Sequence, residues 1–203
     1  GGGVRFLDEE GYDVEGIDIA ARTIRAMTEF DRDLKLKIAS ITQIPYADHS
    51  FDGVLAIGVL EYVDGKVPQA LAEVRRVLKP GGVFFIEVPT ANLLRRLLYL
   101  PLKRIERLVK KAQGLTPTFV NYLFHRELEG LLNAAGFDLE LMVPHELPEE
   151  DAHYGLYIDW PFLRGREPYR LNGLGKAVKA IANALSPWVA STGAVVVARK
   201  RKV

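Results

Sequence analysis

The sequence predicts an α/β fold, a parallel sheet covered by helices, and three observations carry that expectation. Short β-rich runs alternate with amphipathic helical patterns along most of the chain. The clearest helix is closed by Pro80-Gly81-Gly82, and a run of buried-strand character follows at once. One early strand, Asp13 to Ile17, ends in an acid, Asp18, before a new helical pattern begins near Ala20. At 203 residues and 48% hydrophobic content the chain can bury one substantial core, so a single domain over residues 1–203 is expected.

Strand character recurs at Leu34 to Ala39, Asp52 to Val59 and Val83 to Val88. Between the last two, Val67, Ala70, Leu71, Val74, Val77 and Leu78 fall at three- and four-residue intervals while Glu73, Arg75 and Arg76 face outward, which predicts a helix over 67–78. Proline cannot continue its hydrogen-bond ladder and the paired glycines permit a tight reversal, so Val83-Phe84-Phe85-Ile86 enters as a buried strand. Leu128, Leu131, Leu132 and Ala135 form another helical stripe, closed by Gly136 ahead of the strand-like Phe137 to Val143. Residues 144–173 are rich in proline, glycine and aromatics, which predicts an irregular region within 144–192 before a last strand, Ala194 to Ala198.

Composition closes off several classes of function. Twenty-seven basic residues against 26 acidic ones give no global field toward nucleic acid, and none is expected as a partner. The absence of cysteine excludes disulfides, thiolate metal sites and a cysteine nucleophile. Four scattered histidines without paired spacing give no expectation of a metal. No apolar run approaches the ~20 residues that cross a bilayer, and the amino terminus lacks the layout of a secretion signal, so a cytoplasmic protein is expected.

The first unit with chemistry is Gly11-Tyr12-Asp13-Val14-Glu15-Gly16-Ile17-Asp18. A carboxylate at the carboxyl end of such a strand can accept both ribose hydroxyls of an adenosine, or it can simply cap the following helix. The second unit runs from Ile44-Pro45-Tyr46 through Ser50-Phe51-Asp52-Gly53-Val54-Leu55 to Gly58-Val59-Leu60-Glu61-Tyr62-Val63, and Leu78-Lys79-Pro80-Gly81-Gly82 follows. In this order the motifs resemble the methyltransferase family, type 11, that includes the ubiquinone and menaquinone biosynthesis C-methyltransferases. The likeness covers roughly residues 4–143, with Phe124 to Gly136 and Phe137 similar to the family's late helix and strand.

That resemblance implies a Rossmann-like, doubly wound, mostly parallel sheet with an antiparallel final strand, and S-adenosylmethionine as cofactor. Residue by residue, it implies that Asp18 binds the ribose and Ile19 packs against the adenine. Ser40 and Ile41 stand where the family has an Asp and an apolar residue beside the adenine. Serine departs from that pattern, being shorter and uncharged. Ile57 and Gly58 would line the methionine portion, and Tyr62 replaces the family's common histidine. The family's glycine loop is represented only by Gly1-Gly2-Gly3, with Gly1 and Gly3 as cofactor candidates, and the first strand is expected to be absent from the chain.

Methyl transfer needs alignment of the acceptor and exclusion of water more than a dedicated base. If the acceptor must lose a proton, Glu61, Tyr62, His125 and His153 are available, with Tyr62 and His125 ranked first because the resemblance places both near the cofactor's open side. Each of the four also has an ordinary structural role open to it. The segment Asn92 to Gln113 sets eight leucine, isoleucine and valine positions against Arg95, Arg96, Lys103, Arg104, Arg107, Lys110 and Lys111, with a break expected at Pro101. A helical insertion over 92–118 that acts as a lid is the first reading. A peripheral membrane contact through 92–113 is the second, and a packed surface helix pair the third. The aromatic stretch Tyr154 to Leu163 reads as pocket lining or as packing, and Arg199-Lys200-Arg201-Lys202 as a solvated tail. The expected function is an S-adenosylmethionine-dependent methyltransferase with a small-molecule or lipid-linked acceptor. A non-catalytic binding relative and a nicotinamide-dependent oxidoreductase are the alternatives.

Overall fold

A computed structural model describes residues 2–92, 96–97, 100–114, 123–145, 170–191 and 193–202. In chain order these form α1 (Gly2–Glu9), β1 (Glu15–Asp18), α2 (Ala21–Phe30), β2 (Lys35–Ile38), β3 (Phe51–Ile57), α3 (Val67–Val77), β4 (Leu78–Pro89) and α4 (Leu100–Ala112). Then come α5 (His125–Ala134), β5 (Phe137–His145), α6 (Gly173–Leu185), α7 (Pro187–Ala190) and β6 (Gly193–Lys200).

The strands make two sheets, β1-β2 and β3-β4-β6-β5. β1 pairs β2 in parallel, and β3 pairs β4 in parallel. β6 runs antiparallel to both β4 and β5, so it alone opposes the other strands of its sheet. Parallel strands with a reversed final one are the expected arrangement. Among the described residues no ladder joins β1 to β3.

The core lies on one face of the larger sheet. Phe84, Ile86 and Val88 of β4 and Ala194, Val196 and Ala198 of β6 share that face by register, and α3 and α5 cover it with Leu71, Val74, Leu128 and Leu132. Phe84 and Phe137 meet there with ring centroids 5.6 Å apart. The opposite face is thinly covered: Leu55, Ile57, Leu141 and Val143 are exposed. In the smaller sheet Gly16 permits close packing, because a Cβ there would lie 2.7 Å from Leu36 Cδ2 and 2.8 Å from Val4 Cγ2.

Several elements differ from their sequence-based expectation. Pro80-Gly81-Gly82 does not interrupt the chain between helix and strand. β4 already starts at Leu78, which pairs with Phe51, and the register shifts between Phe51 and Gly53 absorb the irregularity. Pro101 is the second residue of α4, and the expected break there falls beside residues 98–99, which lie outside the described residues. The expected irregular region before β6 contains α6 and α7, each begun by a side chain that accepts from the helix backbone, Asn172 from Gly175 N–H and Ser186 from Trp188 N–H.

The basic tail is also corrected. Arg199 and Lys200 belong to β6, where Arg199 pairs with Glu140 and the Lys200 ammonium is buried, donating to the Leu78 carbonyl at 2.6 Å. Just beyond the strand, Arg201 pairs with Asp138. His153 and the aromatic stretch 154–163 lie outside the described residues.

Candidate cofactor site

A cleft of about 550 Å³ opens at the carboxyl ends of β1, β2 and β3. Parallel strands all point their carboxyl ends to one edge, and the turns that leave them diverge, so a concave site forms there without further construction. Ile17, Asp18 and Ile19 come from the end of β1, and Ala39 to Thr42 from the end of β2. Gly58, Val59 and Tyr62 come from the turn after β3, and Asp64 and Lys66 stand at its rim.

Asp18 ends β1 with its carboxylate on the cleft wall. One oxygen, Oδ1, accepts the backbone N–H of Ala20 at 2.7 Å, so the residue does close the turn into α2. The capping and ligand roles are therefore not rivals: one oxygen orients the carboxylate, and Oδ2 keeps its acceptor capacity for a diol. Ile19 beside it is 71% exposed, an apolar side chain offered to the cleft rather than to the core. Ile41, half-buried, packs on the core from the opposite wall.

Ser40 stands in the cleft, but its hydroxyl is engaged by Thr42, with Oγ to Oγ1 at 2.8 Å and the Thr42 N–H donating at 3.2 Å. Gly58 has φ of 63°, a left-handed backbone that a side chain would strain, and its N–H donates to the Glu87 carbonyl. Tyr62 follows on the 3₁₀ turn Leu60–Tyr62 and is exposed at the cleft.

The remaining candidates lie elsewhere. Ile57 is exposed on the thinly covered sheet face and does not line the cleft. Gly3 sits in α1, a helix rather than a loop, with open space around it, and Gly1 lies outside the described residues. His125 begins α5 stacked on Trp188, centroids 4.2 Å apart, and burial pushes its pKa down, which favours the neutral ring. It does not line the cleft.

Glu61 is buried, and its Oε2 has no hydrogen-bond partner. Burial, and more weakly the charge of Glu87, raise its pKa. Sequence reading did not single out Asp64 and Lys66. They follow Tyr62 in the turn to α3, and their polar character alone gave no sign of which side they face. Among the described residues no group of histidine and carboxylate side chains could hold a metal ion.

The donor set fits an adenosyl ligand: a carboxylate for the sugar, isoleucines for the flat base and a bent glycine backbone for the amino-acid end. Residues 1–86 match the model of a methyltransferase domain. A Mycolicibacterium smegmatis protein named as a probable S-adenosylmethionine-dependent methyltransferase is 29% identical over 163 residues, which is 72% of this chain and 57% of that protein. A demethylmenaquinone methyltransferase of Symbiobacterium thermophilum is 30% identical over 146 residues, 63% of this chain and 57% of that one. The chain thus spans 57% of the length of these two curated relatives. An S-adenosylmethionine-dependent methyltransferase of Methanosarcina mazei shares the fold, with a TM-score of 0.65 at 20% identity, covering 98% of this chain and 87% of that one. Residues 1–86 are thus similar to a methyltransferase domain, and the chain shares its fold with S-adenosylmethionine-dependent methyltransferases.

Proposed function

We propose that this chain supplies the cofactor-binding and reacting portion of an S-adenosylmethionine-dependent methyltransferase with a small-molecule or lipid-linked acceptor. Asp18 carries the assignment: a carboxylate fixed by Ala20 at the end of β1, with an oxygen left for a ligand, beside two isoleucines in one cleft. The bound cofactor supplies a methyl carbon made electrophilic by its sulfonium. The chain's task is then to align an acceptor atom with that carbon and keep water out.

In this assignment Asp18 accepts the ribose hydroxyls, and Ile19 and Ile41 hold the adenine between them. The backbone of Gly58 receives the methionine end. Tyr62, at the mouth, orients the acceptor and takes its proton where one must leave. His125, stacked on Trp188, orders the start of α5 and the wall behind it. Calorimetric titration of S-adenosylmethionine and S-adenosylhomocysteine into the full-length protein tests the assignment. Binding of either is expected, and binding of a nicotinamide dinucleotide in their place would reject it.

The engagement of the Ser40 hydroxyl by Thr42 favours a second reading. A hydroxyl so engaged is a poor acceptor for the adenine amino group, as expected of a relative that binds its ligand weakly and transfers nothing. Cofactor binding with no methylation of any quinol, amine or phenol acceptor would support that second reading.

A further inference from the structure

The helix after β4 does not bury its apolar side as α3 does. On α3, Val67, Ala70, Leu71, Val74 and Val77 are 0–3% exposed. On α4, Ile105, Leu108 and Val109 have the same three- and four-residue spacing, yet they are 60%, 68% and 49% exposed. Leu97, just ahead of the helix, is 62% exposed. The stripe that should meet a core therefore meets solvent.

Charge says what it meets. Residues 100–112 hold five of the chain's 27 basic residues and one of its 26 acidic ones, a formal +4 within a chain of net charge +1. Arg104, Lys110 and Lys111 are exposed, and helical spacing sets them off the apolar stripe. A second copy packed through this face would bring +4 against +4. Nucleic acid would use the charges and leave the stripe wet. An anionic lipid surface satisfies both at once.

We propose that α4 is an interfacial anchor, lying flat on an anionic bilayer with Ile105, Leu108 and Val109 at the boundary of headgroups and acyl chains and Arg104 and Lys111 among the phosphates. No helix among the described residues is long and apolar enough to cross a membrane, so the contact is with a surface. The anchor does not depend on methyl transfer. If the acceptor is lipid-linked, it also places the cleft where that acceptor resides.

Flotation of the full-length protein with vesicles tests the proposal, using phosphatidylcholine alone and equimolar phosphatidylcholine and phosphatidylglycerol, at low and high salt. The protein is expected to float with the anionic vesicles at least ~10-fold better than with the neutral ones and to lose that preference in high salt. The double variant Arg104→Glu/Lys111→Glu should weaken binding by more than about tenfold, since each basic residue near such a surface contributes roughly fivefold. Leu108→Glu should abolish binding while circular dichroism and cofactor affinity stay unchanged. Equal binding to both vesicle types, no binding to either, or wild-type binding by both variants would overturn the proposal. So would self-association or RNA binding that Leu108→Glu removes without any vesicle binding in the parent.

Discussion

The Glu73 carboxylate accepts the backbone N–H of Ile44 at 2.8 Å, so a side chain on α3 fixes a residue of the cleft wall. Arg76 completes the clamp, donating to the carbonyls of Ile44 and Tyr46 at 2.9 and 2.8 Å and to Glu73 and Asp48. Backbone that has no ladder partner of its own is thereby satisfied from the helix. Replacing Arg76 by Ala should cost about 2–3 kcal/mol, because hydrogen bonds to charged groups contribute ~1.5–3 kcal/mol and the two carbonyls lose their donors together. Chemical denaturation reads that loss, and weaker cofactor binding should accompany it as the wall loosens.

The same clamp sets an acid limb. Hydrogen bonding to Arg76 holds the Glu73 carboxyl below its usual value of 4.5. A depressed folded pKa gives stability that is present above the unfolded value and disappears as pH falls through the folded one. The melting-temperature gap between wild type and Glu73→Gln should therefore be largest at neutral pH and close in acid.

Glu61 has the opposite sign. Burial raises its carboxyl above the usual 4.5, so the folded chain holds this proton more tightly than the unfolded chain does. Stability is then lost as pH climbs from the unfolded value toward the folded one, and a neutral isostere escapes that loss. Glu61→Gln should raise the melting temperature at neutral pH, by ~2–4 °C for each kcal/mol recovered in a domain of this size, and change little well below 4.5. Calorimetry across pH would reject the burial argument if the gain were the same everywhere.

Asp18 can be separated into its two roles. Asp18→Asn keeps an oxygen for the Ala20 N–H but loses the charge offered to the ligand. Affinity for S-adenosylhomocysteine should fall by roughly 10- to 100-fold with the melting temperature nearly constant, matching the ~1.5–3 kcal/mol of a charged hydrogen bond. Asp18→Ala should lower both quantities. An affinity untouched by either change would remove Asp18 from the site.

Gly16 is a packing constraint open to direct test. An added methyl would fall within 2.8 Å of Val4 and Leu36, and overpacking of this kind costs about 1–3 kcal/mol. Gly16→Ala should lower stability by that much, and Gly16→Val by more, with hydrogen exchange in α1 accelerated first.

The sequence exposed most of this architecture wherever periodicity and burial agree. The apolar spacing of α3 is buried as predicted, and the motif around Asp18 fell where a cleft forms, because strand-end residues in a parallel sheet have little choice of place. Arg199 and Arg201 were illegible for a physical reason. Their partners, Glu140 and Asp138, come from a strand distant in the chain, so local composition signalled only solvent. Leu78 misled in the same way, since its strand character depends on pairing with Phe51 and not on its own neighbours. Ile57 and His125 were placed by likeness to other proteins, and the geometry around each is local to this chain.

The position of β6 governs how the protein is made. It is later in sequence than β4 and β5 yet lies between them, pairing with β4 from Val83↔Arg199 to Pro89↔Gly193 and with β5 from Phe137↔Lys200 to His145↔Gly193. Until the ribosome has released residues 193–200, β5 has no strand partner among the described residues and one edge of β4 stays open, for a few seconds at ~5–20 residues per second. Nascent chains therefore wait half-assembled, and loss of this short segment leaves β5 without a strand partner among the described residues and β4 with β3 alone.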